Sequence, residues 1–216
     1  MILTKPNLSL PRTQMDDLAG LAAEYQGNAA PLEQAQITGR TLIEGDLSDI
    51  LFARVEFEHC VFFGTTFRSG SFSDVRFQGC DLSGCDFSES SFRRCEFVGC
   101  KAVGANLSGS FFRDVQFQNC NLQYAGMQDG KLTIAAFCGC DLSGADLSDC
   151  VLKNLYLADS RFYGTGFFRT PLKGLDFTRC EMAGIGVSVS KSELAGAVVD
   201  SAQAAELAGL LGVIIK

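Results

Sequence analysis

The chain has 216 residues, of which 47% are apolar, with 18 Phe, 4 Tyr and no Trp. That is enough apolar material for one sizeable core, and it excludes global disorder. The 25 acidic and 18 basic residues give a formal charge of −7, which argues against a generic basic nucleic-acid binder, and no run of about 18 apolar residues is present to span a membrane.

The opening stretch, MILTKPNLSLP, has no basic segment followed by an apolar block, so no secretory signal is expected. Residues 13–26 (TQMDDLAGLAAEYQ) predict a helix, with Thr13 and Asp16 at its start and Gly27 as its stop. Met15, Leu18, Ala22 and Tyr25 would share one face and cover the first turn of the adjoining core.

From Ile37 the chain is a repeat. Every fifth residue from Ile37 to Val187 is apolar, 31 positions without a slip, Phe52, Phe57, Phe62, Phe67, Phe72 and Phe77 among them. We call this position the centre of a pentad. Two residues before it runs a second small or apolar series, for example Val55, Cys60, Thr65 and Gly70. A period of five matches neither a helix nor an ordinary strand. It matches a short extended segment ended by a corner, in which residues two apart face inward and the last residue turns the chain. Cys60, Cys80, Cys100, Cys120, Cys140 and Cys180 recur at multiples of twenty, as do Gly64, Gly84, Gly104, Gly144, Gly164 and Gly184. Four pentads therefore make one coil of a four-sided solenoid, and glycine at a corner permits positive φ. Ala102 is the only Ala among the centres: either its Phe and Cys neighbours close over it or a void remains.

Segments such as GCDLSG (79–84), VGANLSG (103–109) and GADLSD (144–149) resemble the pentapeptide repeat family across residues 35–187, about 70% of the chain. That resemblance implies an all-β solenoid, a right-handed quadrilateral β-helix with short N- and C-terminal helical caps. The expected division is 1–31 as an N-terminal segment with the capping helix, 32–190 as the β-helix, and 191–216 as a C-terminal capping and dimerisation segment. After Val187 the period fails. Residues 202–211 predict a second helix with Asp200 or Ser201 as N-cap and Gly212 just past its end, with a short strand after it over Val213, Ile214 and Ile215. The tail resembles that of quinolone-resistance pentapeptide proteins, which dimerise tail to tail. This makes Val198, Val199, Leu207, Leu210, Leu211, Val213, Ile214 and Ile215 the candidate homodimer interface.

Nine of the ten cysteines occupy the inward position two before a centre, and Cys138 alone faces out. They read as small core residues with free thiols, which suits a reducing cytoplasm, and no metal, cofactor or small-molecule substrate is expected. The only histidine, His59, falls at a corner, and no nucleophile stands beside a base, so catalysis is not expected.

The register assigns charges to walls. The acidic wall, 45–49 through 165–169, carries Asp46, Asp49, Asp86, Glu89, Asp129, Asp146 and Asp149 against Arg68 and Arg169. The adjoining basic wall, 50–54 through 170–174, carries Arg54, Arg93, Arg94, Arg113, Lys131, Lys153 and Lys173 against Asp74 and Asp114. Phe63, Phe111, Tyr124, Tyr156, Tyr163 and Phe168 fall at outward positions, and the last coils are expected to gather three of them onto one covered surface. The reading is a structural or protein-interaction module that does not bind nucleic acid directly. The family resemblance implies an alternative, a DNA-mimicking binder of DNA gyrase or topoisomerase IV through the acidic face. A duplex as long as the expected rod would carry roughly 22 phosphates, far more than this rod's net charge, and the basic wall opposes such a partner.

Overall fold

An extended pentad turns its centre and the residue two before it to the same side, and the structure builds a rod from that alternation. The computed structural model describes residues 3–9 and 11–214. Twenty-residue coils stack in parallel with an unbroken register, for example Phe57 against Phe77, Phe77 against Phe97 and Phe97 against Phe117. All centres from Ile37 to Val187 are buried except Leu42, Leu152 and Val187, which are half-buried. Around the coil, the basic wall leads to a phenylalanine wall (35–39 through 175–179), a cysteine wall (40–44 through 180–184) and then the acidic wall.

The walls differ in backbone structure. Continuous eight-residue strands, Ser91–Val98, Phe111–Gln118, Lys131–Cys138 and Val151–Ala158, run through the corner between the basic and phenylalanine walls. The cysteine and acidic walls pair mostly through isolated bridges such as Asp81 to Lys101 and Asp86 to Asn106. Their corners close as tight turns, with the Thr65 amide donating to the Phe62 carbonyl at 2.9 Å and the Gly70 amide to that of Phe67 at 3.0 Å.

Corner geometry does not depend on glycine alone. The residue two past the centre is left-handed at corner after corner: Gly84 has φ 65°, but so do Asp49 at 56°, Arg54 at 56° and Ile134 at 58°. The fold imposes this conformation on whatever side chain stands there, and a β-branched residue is the most strained occupant.

The interior is a set of aligned columns. Phe52, Phe72, Phe92 and Phe112 stack on one wall and Phe57, Phe77, Phe97, Phe117 and Phe137 on the next, with centroids 4.7–5.0 Å apart within each column. Rings on adjacent walls meet edge to face, as do Phe57 and Phe62 at 5.4 Å, which aromatic quadrupoles favour. The column interrupted by Ala102 retains a void. About 10 Å³ remains among Leu82, Phe97, Ala102, Phe117 and Leu122, at the limit for one water and without polar partners to hold it.

Both ends depart from the sequence expectation. The first helix, α1, spans Leu18–Tyr25, and its N-cap is Asp17, whose Oδ1 accepts the Gly20 amide at 2.9 Å. Thr13 and Gln14 form a strand instead, β1, which pairs with Ala35 and Gln36 of the first coil. An exposed coil edge needs backbone partners; the Thr13 amide meets the Gln34 carbonyl at 2.7 Å and the Met15 amide that of Gln36 at 2.9 Å. Leu18 and Leu21 are buried, while Met15, Ala22 and Tyr25 pack partly against the core.

At the other end the period is stretched, not simply lost. Asp176 bridges to Val198, twenty-two residues on, so the last partial coil carries two extra residues. Helix α2, Ser201–Leu210, starts at Asp200 with a full capping box to Gln203. Val213 and Ile214 form no strand, and Ile215 lies outside the described residues.

Candidate interaction surface

The repeat side chains with chemical potential are largely engaged in holding the coil. In the Asp-Leu-Ser and Asp-Phe-Ser pentads the carboxylate accepts the amide two residues on: Asp46 from Ser48 at 2.9 Å, Asp86 from Ser88 at 2.9 Å and Asp146 from Ser148 at 2.9 Å. That bond holds the Asp46 carboxyl below the usual carboxylate range. Inward hydroxyls and thiols donate to the centre carbonyl of the coil beneath: Thr65 to Leu42 at 2.9 Å, Ser90 to Phe67 at 3.0 Å, Cys80 to Phe57 at 3.4 Å and Cys120 to Phe97 at 3.3 Å. Packing alone therefore does not account for the cysteines, since they also donate. The signal was readable, because Cys, Ser and Thr interchange in those columns. All ten thiols are free. Burial pushes Cys85, Cys95 and Cys150 up to about 12. Cys138 is half-buried as an outward residue, and Cys180 is also half-buried.

All seven candidate residues of the acidic wall lie on that wall and its corner, but they are not equivalent. Glu89 pairs with Arg68 at 2.6 Å and Asp149 with Arg169 at 2.5 Å, and these are the two bases of that wall. Asp86 also accepts the Asn106 amide, and Asp146 that of Gln128. Exposed Asp49 and Asp129 have no ion-pair partner among the described residues. On the basic wall, Ser71, Ser91, Arg93, Phe111, Arg113 and Lys131 line a shallow groove of about 550 Å³.

The outward aromatics do not gather. Tyr156, Tyr163 and Phe168 stand on three different walls because they belong to three successive pentads. Each meets a cation: Arg179 donates to the Tyr156 hydroxyl at 3.0 Å, Arg161 stacks on Tyr163 at 5.4 Å and Arg169 on Phe168 at 4.6 Å. Phe111 has Lys131 over its ring at 4.9 Å. An exposed ring meets a long side chain either of its own pentad, as Tyr163 and Phe168 do, or of the next coil, as Phe111 and Tyr156 do.

The candidate dimer residues divide in two. Val199, Leu207 and Leu210 pack against the protein's own last coil. Val198, Leu211, Val213 and Ile214 remain exposed, Ile214 at 83%. Among the described residues no group of His, Cys, Asp and Glu is placed to hold a metal ion, and no helix is long and apolar enough to cross a membrane.

Geometry of this kind defines a pentapeptide solenoid, a rod with decorated walls. The chain belongs to the pentapeptide repeat family. The family described as "Pentapeptide repeat region" matches residues 50–127 and that described as "Pentapeptide repeats (8 copies)" matches residues 131–167, together more than half the chain. Among solved structures it is similar to a trypsin-treated form of QnrB1, a plasmid-mediated fluoroquinolone resistance protein, with 19% identity over 84% of this chain and 97% of that one and a TM-score of 0.46. It is also similar to HetL, a pentapeptide repeat protein involved in heterocyst differentiation regulation in the cyanobacterium Nostoc sp. strain PCC 7120, with 16% identity over 85% and 92% of the two chains and a TM-score of 0.45. No curated protein sequence matches the chain significantly.

Proposed function

We infer that this protein is a non-enzymatic interaction rod that engages a protein partner through one charged wall. One observation carries the reading: a single rigid core holds a wall of net −5 beside a wall of net +5, while the hydroxyls, thiols and many carboxylates of the repeat are engaged in turns and coil-to-coil bonds. Electrostatic complementarity along such a wall supplies orientation and specificity. The test places a photocrosslinking residue on each of the four walls in turn and compares captures from cell extract. A partner captured from one wall, and lost when that wall's unpaired charges are reversed, supports the reading. Equal capture from all four walls overturns it.

The axial strip from Asp46 to Asp149 favours a second reading, a DNA-mimicking ligand of DNA gyrase or topoisomerase IV. The Arg68 and Arg169 ion pairs and the adjoining basic wall weaken it. Supercoiling by gyrase with the protein added decides: unchanged activity at saturating protein removes this reading. The exposed Val198, Leu211, Val213 and Ile214 support association of two copies through their C-terminal ends, since an isologous contact buries the same patch twice and closes on itself. A monodisperse monomer by light scattering would exclude it.

A further inference from the structure

Residues 3–9, 11 and 12 run along the rod instead of extending away from it. Beyond β1 the chain crosses successive coils on the phenylalanine wall and its corner with the basic wall. Arg12 pairs with Glu56 at 2.5 Å, the Asn7 amide donates to Asp74 Oδ1 at 3.0 Å, Lys5 approaches Glu96 at 3.9 Å, and the Thr4 amide donates to Asp114 Oδ1 at 3.3 Å. Leu3, Pro6 and Leu8 are half-buried, while Thr4, Lys5, Asn7 and Ser9 are exposed, so one side of the strap faces the rod.

The strip beneath has the features of a peptide site. Glu56 and Glu96 stand at outward positions of the repeat yet are only 8% and 5% exposed. Arg76 lies between them, 3.4 Å from Glu56 and 2.7 Å from Glu96, which leaves a net negative column for the two strap cations. Asp74 and Asp114 are left-handed corner residues, and their carboxylates recognise backbone amides, which any extended segment offers. Asp74 is further held by Arg94 at 2.5 and 2.7 Å. The hold on residues 3–9 is light. Among the described residues no main-chain ladder joins them to the rod, and the Lys5 side chain is largely in solvent, so its approach to Glu96 contributes little. The mostly buried Arg12–Glu56 pair is the firmest side-chain contact. The two ladder bonds of β1 tether the segment, so it can leave the strip and still remain beside it.

We propose that the strip from Glu56 to Asp114 is a docking site for an extended cationic segment of a protein partner, occupied in the free protein by the chain's own residues 4–9 and 11–12. The segment that fits presents backbone amides to Asp74 and Asp114 and cations to Glu56 and Glu96, with apolar residues between them. The strap is an intramolecular competitor, present at the high effective concentration of a short tether, and a partner must displace it. This goes beyond the charged-wall reading: the strip lies on the phenylalanine wall and shares only the corner residues Asp74 and Asp114 with the basic wall, and capture through the acidic wall is independent of it.

The probe is a fluorescent synthetic peptide of residues 3–14, LTKPNLSLPRTQ, titrated into the full chain and monitored by anisotropy. The double variant Lys5→Glu, Arg12→Glu releases the strap by charge. Asn7→Pro releases it by removing one amide, and serves if the first variant folds poorly. The released chains are expected to bind the peptide about tenfold or more tighter than the unaltered chain, because the competitor is gone. A peptide carrying proline in place of Asn7 should lose that binding, and the Thr4 amide should exchange faster in both released chains, as should the Asn7 amide in the double variant. Equal affinity for released and unaltered chains, or no binding to the released chains, overturns the proposal.

Discussion

The two ends of the rod solve the same problem by different means. At the N-terminal end the open edge of the first coil is paired by backbone, through Thr13 and Met15, and α1 buries Leu18 and Leu21 over the core. At the C-terminal end the backbone pairs as well, the Leu172, Gly174 and Phe177 amides donating to the Glu193, Gly196 and Val198 carbonyls and the Val198 amide to that of Leu175, and side chains close what remains. Gln203 Nε2 reaches across to donate to the Phe177 carbonyl at 2.8 Å and the Cys180 carbonyl at 2.7 Å. The buried Glu193 carboxylate accepts the Arg169 amide at 2.8 Å and the Ser188 hydroxyl at 2.8 Å. The residues flanking α2, Val198, Leu211, Val213 and Ile214, stay in solvent, whereas Leu18 and Leu21 of α1 are buried. Both edges are paired by backbone, so the difference lies in the apolar surface left uncovered, which makes the C-terminal end the more prone to association.

Acid should break the comparison most completely. Burial alone would raise the Asp74 and Glu193 carboxyls, but hydrogen bonds from Arg94 and Asn7 to the first, and from Ser188 and Arg169 to the second, leave both below the ordinary range. A carboxylate depressed in the folded state contributes stability above its unfolded pKa, near 4, and loses that contribution as pH falls through its folded value. Thermal melts should therefore be flat from neutral pH to about 5 and fall steeply below about 4. A melting temperature that stays constant to about pH 3 would show that these carboxylates contribute little.

Mid-rod, Phe97→Ala removes a ring stacked on both Phe77 and Phe117 and should cost about 3–5 kcal/mol in denaturant melts. It is the reference for the two caps. Leu21→Ala, fully buried under α1, should cost about 2–4 kcal/mol, and half-buried Leu207→Ala in α2 only about 1 kcal/mol. Equal losses would mean that the ends are equally closed.

Gln203→Ala leaves two carbonyls of the terminal coil without their donor and removes half of the capping box, so about 1–3 kcal/mol should be lost. Hydrogen exchange should speed up in α2 and the last coil and stay unchanged in α1. The smallest effect is a gain. Ile134 is a β-branched residue at φ 58°, so Ile134→Gly should relieve strain and stabilise by up to about 1 kcal/mol. Destabilisation would show that its half-buried side chain outweighs the strain.

The register of the solenoid was legible because it is written locally and repeated. Each pentad meets the same steric requirement, an inward pair and a left-handed corner, so thirty-one repetitions average out every exception, and the assignment of charges to walls comes directly from it. The Asp200 cap and α2 were legible for the same local reason. The start of α1 was not. Thr13 is a sound N-cap by sequence, yet it lies within reach of an unpaired coil edge, and the ladder bonds available there outweigh a single capping bond. That Tyr156, Tyr163 and Phe168 face three directions was legible too, since the register puts them in three successive pentads, and the expectation that they gather on one surface overlooked it.

The strap lay wholly outside local reading. Thr4 meets Asp114 across 110 residues and Asn7 meets Asp74 across 67, and no periodicity links them. By itself the sequence determined the coil, because five-residue sterics act between neighbours and recur without change. Only the tertiary structure decided how each end is closed and where the N-terminal segment lies, because stacking brings together edges and carboxylate columns from distant parts of the chain.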